Sequence, residues 1–156
     1  MSNGYHYHFS GLSRGQGGTE RAHIMAIQAR ARPTIVVIDD SASVRLFFER
    51  SAHDFDVALE LCGSAEEALR LLSHTHPDLI FLDIIMPDKD GLTFLQQLRR
   101  LPGLAETPVV VISSKDYAQD KMTAKELGAS EFVIKPMSTK TIKDLIAKYT
   151  EARARP

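Results

Sequence analysis

From Thr34 onward the chain repeats one pattern five times: a short apolar run, then a longer stretch with helical spacing. The apolar runs are TIVVID (34–39), VALELC (57–62), DLIFLD (78–83), PVVVIS (108–113) and EFVI (131–134). Runs this short, bounded by turn residues, read as strands buried on both faces. Between them, SASVRLFFERSAH (41–53) sets Val44, Phe47, Phe48 and Ser51 at helical spacing. SAEEALRLLSH (64–74) opens with Ser64 and Glu67 at the separation of a capping box. GLTFLQQLRRL (91–101) aligns Leu92, Leu95 and Leu98, and DYAQDKMTAKEL (116–127) runs into Gly128, a residue suited to closing a helix. TKTIKDLIAKYTEA (139–152) is the last helical stretch. Strands joined by helical crossovers pair in parallel and are covered on both faces, because each crossover is right-handed. The predicted fold class is α/β, a three-layer, doubly wound, five-stranded parallel sheet, (βα)5. In such sheets ligands sit outside the carboxyl ends of the strands, near the switch in strand order.

Residues 1–33 do not share the pattern. They hold five of the nine glycines and are predicted to be a disordered or weakly helical extension. Met25 offers a second start just ahead of the folded part, so residues 1–24 read equally well as native sequence or as an upstream-translated or non-native extension. The folded domain is expected over 34–152, with 153–156 a tail and EARARP (151–156) a solvated helix end. With 19 basic and 20 acidic residues the net charge is −1, so no bulk field points to nucleic acid or an anionic membrane. A single cysteine, Cys62, excludes an intramolecular disulfide and reads as a packed small hydrophobe. His53, His74 and His76 read as surface or capping groups. No apolar run approaches a membrane span, so a cytoplasmic protein is the expectation.

The chemistry gathers at one sheet edge. Asp39 and Asp40 follow the first strand, Asp83 ends the third, Ser113 and Ser114 end the fourth, and Lys135 follows the fifth. Crowded carboxylates repel unless a cation shares the site, and oxygen ligands without thiolate or imidazole select a hard cation, Mg²⁺ first. A metal, an ammonium, hydroxyls and backbone N–H groups around one carboxylate suit a phosphoryl group, whose transfer depends on positioning and charge neutralisation. Asp83, alone at the end of a central strand, is the candidate nucleophile for an aspartyl phosphate. The backbone carbonyl of Ile85 could complete the metal shell.

The segments VVIDDSASVR, IFLDIIMPDKDGL, PVVVISSKD and FVIKPMS, in this order, resemble the receiver domain of two-component response regulators, the CheY-like family with its flavodoxin-like fold. Asp40 lies 43 residues before Asp83, Ser113 lies 30 after it, and Lys135 lies 22 beyond Ser113. The resemblance covers 34 to about 150. It implies Asp83 as phosphoacceptor, with Asp39, Asp40, Asp83 and the Ile85 carbonyl as Mg²⁺ ligands. It also implies that Lys135 pairs with phosphoryl oxygens, that Ser113 is the switch hydroxyl, and that Phe132 stands where the family has its switching aromatic. Lys135–Pro136 matches a position where the family uses a cis peptide bond, and Lys115 and Ile85 flank the pocket.

The implied partners are a sensor histidine kinase or phosphotransfer protein and an unknown downstream protein, met through the last two βα units. Nucleic acid is not contacted directly, and the chain is a monomer or a phosphorylation-linked dimer. No helix-turn-helix or nucleotide-cyclase segment follows, so a stand-alone receiver, or one excised from a longer regulator, is expected. Self-phosphorylation and autodephosphorylation at Asp83 would be its only catalysis. A phosphatase of the aspartate-nucleophile type needs a second acid two residues after the nucleophile, where this chain has Ile85. A degenerate receiver that docks partners independently of phosphorylation is the remaining alternative.

Overall fold

Strand and helix alternate through the residues that the structure, a computed structural model, describes: Arg21 and residues 32–156. In chain order they are β1 (Thr34–Ile38), α1 (Ala42–Ala52), β2 (Ala58–Cys62), α2 (Ala65–Leu72), β3 (Leu79–Asp83), α3 (Gly91–Leu98), β4 (Val109–Ser113), α4 (Ala118–Glu126), β5 (Glu131–Ile134) and α5 (Thr139–Tyr149). All strands pair in parallel in one sheet, ordered β2-β1-β3-β4-β5. The doubly wound α/β expectation holds. The order reverses beside β1, so the crevice at the switch lies between the carboxyl ends of β1 and β3. The expectations for residues 1–31 and for the start at Met25 fall outside the described stretch.

The uninterrupted apolar runs are explained by two cores, one on each face. Val36, Ile80 and Val111 point into a core closed by α2, α3 and α4; Ile35, Phe81 and Val110 point into one closed by α1 and α5. Alternate residues of the central strands serve opposite layers, so neither face of β1, β3 or β4 is open to solvent. Cys62 is buried in the first core, and its thiol is pushed up to about 11 by burial, then by the charges of Glu67 and Glu60. The three C-terminal-domain histidines that read as surface groups, His53, His74 and His76, are exposed.

Four helices begin on a side-chain cap. Ser41, Ser64, Asp90 and Ser138 accept from the backbone N–H groups of Val44, Glu67, Thr93 and Thr141, respectively. At Ser64 the box is displaced by one residue, because Glu67 Oε2 accepts from Gly63 N rather than from the cap itself. Helix α4 differs: Tyr117 caps it without a side-chain hydrogen bond, and Ala124 is its one buried residue. Gly128 follows it with φ +82°, as expected of a helix-closing glycine. Arg99, at the end of α3, donates to the carbonyls of Leu104, Thr107 and Gly128, tying together the amino-end connections of β4 and β5. Among the described residues no helix is long and apolar enough to cross a membrane.

The C-terminus corrects the sequence reading. Helix α5 stops at Tyr149, and EARARP is not a solvated helix end. Thr150 turns the chain by donating its hydroxyl to Ile146 O while accepting from Ala152 N. The chain then pairs antiparallel with the α1–β2 connection: Phe55 bridges Ala154, Asp56 N donates to Arg153 O, and Arg155 N donates to Asp54 O. Arg155 Nε adds a bond to Phe55 O. The packed unit therefore extends past residue 152. Removal of residues 151–156 is expected to lower unfolding stability by about 1–3 kcal/mol, the net worth of a few such bonds. Urea unfolding followed by circular dichroism checks this.

Candidate functional site

The register of the central strands brings two acids side by side. Ile38 pairs with Leu82, so Asp39, one step past β1, stands beside Asp83, the last residue of β3. Both are buried, at 1% and 3% exposure. Asp39 Oδ1 accepts from Ser41 N at 2.9 Å, and Asp83 Oδ1 accepts from Ile85 N at 3.0 Å. The remaining oxygens share one donor, since Lys135 Nζ lies 2.8 Å from Asp39 Oδ2 and 3.2 Å from Asp83 Oδ2. Lys135 arrives there because β5 pairs with β4, and its own N–H donates to Ser113 O at 2.8 Å. The Lys135–Pro136 peptide is cis, as the resemblance implied.

Burial pushes the Asp83 carboxyl above its usual range and the neighbouring Asp39 charge adds to this, while the Ile85 N–H and Lys135 pull the other way. For Lys135 burial disfavours the ammonium, but the hydrogen bond and attraction to Asp39, with Asp83 behind them, outweigh it and raise the amine. Asp40 completes the set on the exposed side. Ligand oxygens of Asp39, Asp40 and Asp83 all lie within 4.8 Å of one another. With all three acids ionised, the two nearby cations, Lys135 and Arg45, leave this crevice with a net negative charge. An oxygen-only donor set with that deficit fits a hard divalent cation such as Mg²⁺.

The other expected site residues are placed less uniformly. Ser113 is fully buried, and its hydroxyl accepts from Lys115 N at 3.0 Å, fixing the β4–α4 turn beside the acids. Ser114 is exposed and takes no part in the hydrogen bonds that hold Asp39, Asp83 and Lys135. Phe132 opposes Val111 on β5 and packs against the α2–α4 core, but it is half-buried rather than a core residue. The Ile85 side chain stands 43% exposed.

Sequence reading missed three supports. Arg45 Nη1 donates to Asp39 O at 2.7 Å, and Asp88 Oδ2 accepts from Ala65 N at 3.1 Å. Gly91 packs so closely on the end of β3 that a Cβ there would lie 2.2 Å from Ile84 Cα and 2.7 Å from Asp83 O. The acids of PDKDG read only as turn residues.

A family model described as the response regulator receiver domain matches residues 35–147. The curated protein named "Probable transcriptional regulator ycf27" of Porphyridium aerugineum is 33% identical over 108 residues, 69% of this chain and 44% of that protein. The chain thus spans less than half of that relative's length. Among solved structures, the Vibrio cholerae chemotaxis protein CheY4 superposes with a TM-score of 0.72 at 23% identity, covering 77% of this chain and all of that one. The Mn²⁺-bound form of response regulator Rcp1 superposes with a TM-score of 0.69 at 20% identity, over 80% of this chain and 99% of that one.

Uncompensated charge gives this site a measurable signature. In metal-free buffer Asp83→Asn is expected to be more stable than the wild type by about 1 kcal/mol, because it removes a buried carboxylate facing Asp39. The sign follows from the raised carboxyl: the acid favours the fold while protonated and costs stability as pH rises through its folded-state value. The gap should therefore close at low pH. Millimolar Mg²⁺ should raise the wild-type melting temperature and leave that of Asp83→Asn nearly unmoved. Differential scanning calorimetry with and without Mg²⁺ checks all three.

Proposed function

Because this chain belongs to the response regulator receiver domain family, we propose that it is a two-component signalling switch phosphorylated on Asp83. The donor is a phosphohistidine on a sensor histidine kinase or phosphotransfer protein. A carboxylate oxygen of Asp83 attacks phosphorus, the phosphorus–nitrogen bond breaks, and the imidazole leaves with its electron pair and takes up a proton. The observation that carries this reading is the double anchoring of Asp83: Ile85 N–H fixes one oxygen and Lys135 the other, beside two further acids. Asp39, Asp40, Asp83 and the Ile85 carbonyl would hold Mg²⁺, which supplies charge neutralisation for the incoming phosphoryl oxygens. Lys135, already bridging both carboxylates, is within reach of oxygens added to Asp83 and would follow them.

The output follows from how unevenly the helices are held. Ser113 and Lys115 form the turn that enters α4, the helix without a side-chain cap and with Ala124 as its single buried residue. A phosphoryl group that draws in the Ser113 hydroxyl would pull on this turn, and the weakly anchored helix is the element that can yield. Partner binding would then change on the face of the last two βα units, β4–α4 and β5–α5. Ile85 in place of a second acid supports a stored phosphoryl group over rapid phosphatase turnover. Since the curated relative is more than twice as long as the matched segment, the output of any longer protein belongs to this proposal as well.

Intact-mass measurement after incubation with a small phosphodonor and Mg²⁺ tests the reading. One added phosphoryl group is expected on the wild type, none on Asp83→Asn, and none when chelator replaces Mg²⁺. An unmodified wild-type chain would sink the switch reading, and modification that survives in Asp83→Asn would move the nucleophile elsewhere.

A further inference from the structure

Two side chains outside the acid cluster converge on one turn, the β2–α2 connection at Gly63 and Ser64. Arg45, on α1, donates to the Asp39 carbonyl, and its guanidinium lies over this turn. A methyl on Gly63 would stand 3.2 Å from Arg45 Nη1 and 3.6 Å from Glu67 Oε2. The turn is itself braced, because Glu67 Oε2 accepts from Gly63 N at 2.7 Å and Asp39 N donates to Cys62 O at 3.0 Å. From the other side Asp88, in the loop after Asp83, accepts from Ala65 N, the first residue of α2. That N–H has no partner within its helix, and a carboxylate is favoured at a helix N-terminus.

The Asp39–Asp40 junction and the loop carrying Ile85 thereby meet at the β2–α2 turn: the first through Arg45 and the Asp39 N–Cys62 O bond, the second through Asp88 and Ala65. Neither Arg45 nor Asp88 is used by the phosphoryl chemistry described above. We infer that both are positioning residues, which hold the two arms of the acid cluster at the spacing a hard divalent cation requires and so set its affinity. The inference rests on the cation reading of Asp39, Asp40 and Asp83. Without a cation these carboxylates repel, and an unbraced pair of loops would relax apart. Bracing them at ligand spacing reduces the ordering that binding must impose. Outer groups that orient ligands in this way are typically worth 10–100-fold in metal affinity.

Calorimetric titration of the whole chain with Mg²⁺ tests this. Arg45→Met and Asp88→Ala should each raise the dissociation constant about tenfold. Arg45→Lys keeps a donor and Asp88→Asn keeps an acceptor, so each should recover most of the affinity. Arg99→Met, at the opposite edge of the sheet, serves as the control for stability alone: it should lower the melting temperature and leave the dissociation constant unchanged. An unchanged constant in Arg45→Met or Asp88→Ala overturns the inference, as does equal weakening by Arg99→Met. If Arg45→Met does not fold, Asp88→Ala against Asp88→Asn carries the same test. A wild-type chain that takes up no Mg²⁺ would overturn the cation reading and this inference with it.

Discussion

Two buried carboxylates on adjacent strands share one lysine, and the rest of the molecule is arranged around that contact. Burying like charges side by side opposes folding, and one ammonium cannot balance them together with the exposed Asp40. The contact survives because three separate strands are locked in register behind it. β1 delivers Asp39, β3 delivers Asp83, and β5, paired with β4, delivers Lys135. Two apolar cores, one on each face of the sheet, offset what this edge costs. The arrangement accepts a stability penalty to keep a polar, negatively charged crevice at the point where the strand order reverses. That is the position at which doubly wound sheets bind ligands.

Much of this was legible in the sequence because it depends on period and order. Apolar runs of five or so residues dictate strands with both faces buried, and the acids, hydroxyl and lysine stand at their carboxyl ends by position alone. The misreadings have local physical causes. EARARP has no apolar periodicity of its own, and its structure comes from backbone bonds to residues 54–56, nearly a hundred positions away. Thr150 looked compatible with a continuing helix, yet its hydroxyl bonds to Ile146 O and ends it. Arg45 and Asp88 could not be assigned because their partners are backbone groups, which carry no mark in a sequence.

The unevenness of the helix anchors gives the fold a direction. Four helices are fixed by side-chain caps, and Arg99 pins the amino-end connections. The acid crevice is braced on the α1, α2 and α3 side by Arg45, Asp88 and the close approach of Gly91 to β3. Helix α4 has no capping side chain, and Ala124 is its one buried residue. Under the proposed reading, a change of charge at Asp83 would meet the braced side at Arg45 and Asp88 and, opposite it, the Ser113 turn that leads into the uncapped helix. In the proposed switch this asymmetry sends the response toward β4–α4 and β5–α5.

The central claim is that Asp83 itself takes the phosphoryl group. Borohydride reduces an aspartyl phosphate to homoserine while leaving free carboxylates intact, so peptide mapping after reduction locates the modified residue. The expected result is homoserine at position 83 and nowhere else, formed when Mg²⁺ is present during phosphorylation. Homoserine at Asp39 or Asp40, or its absence from a chain shown to carry phosphoryl mass, would contradict the account.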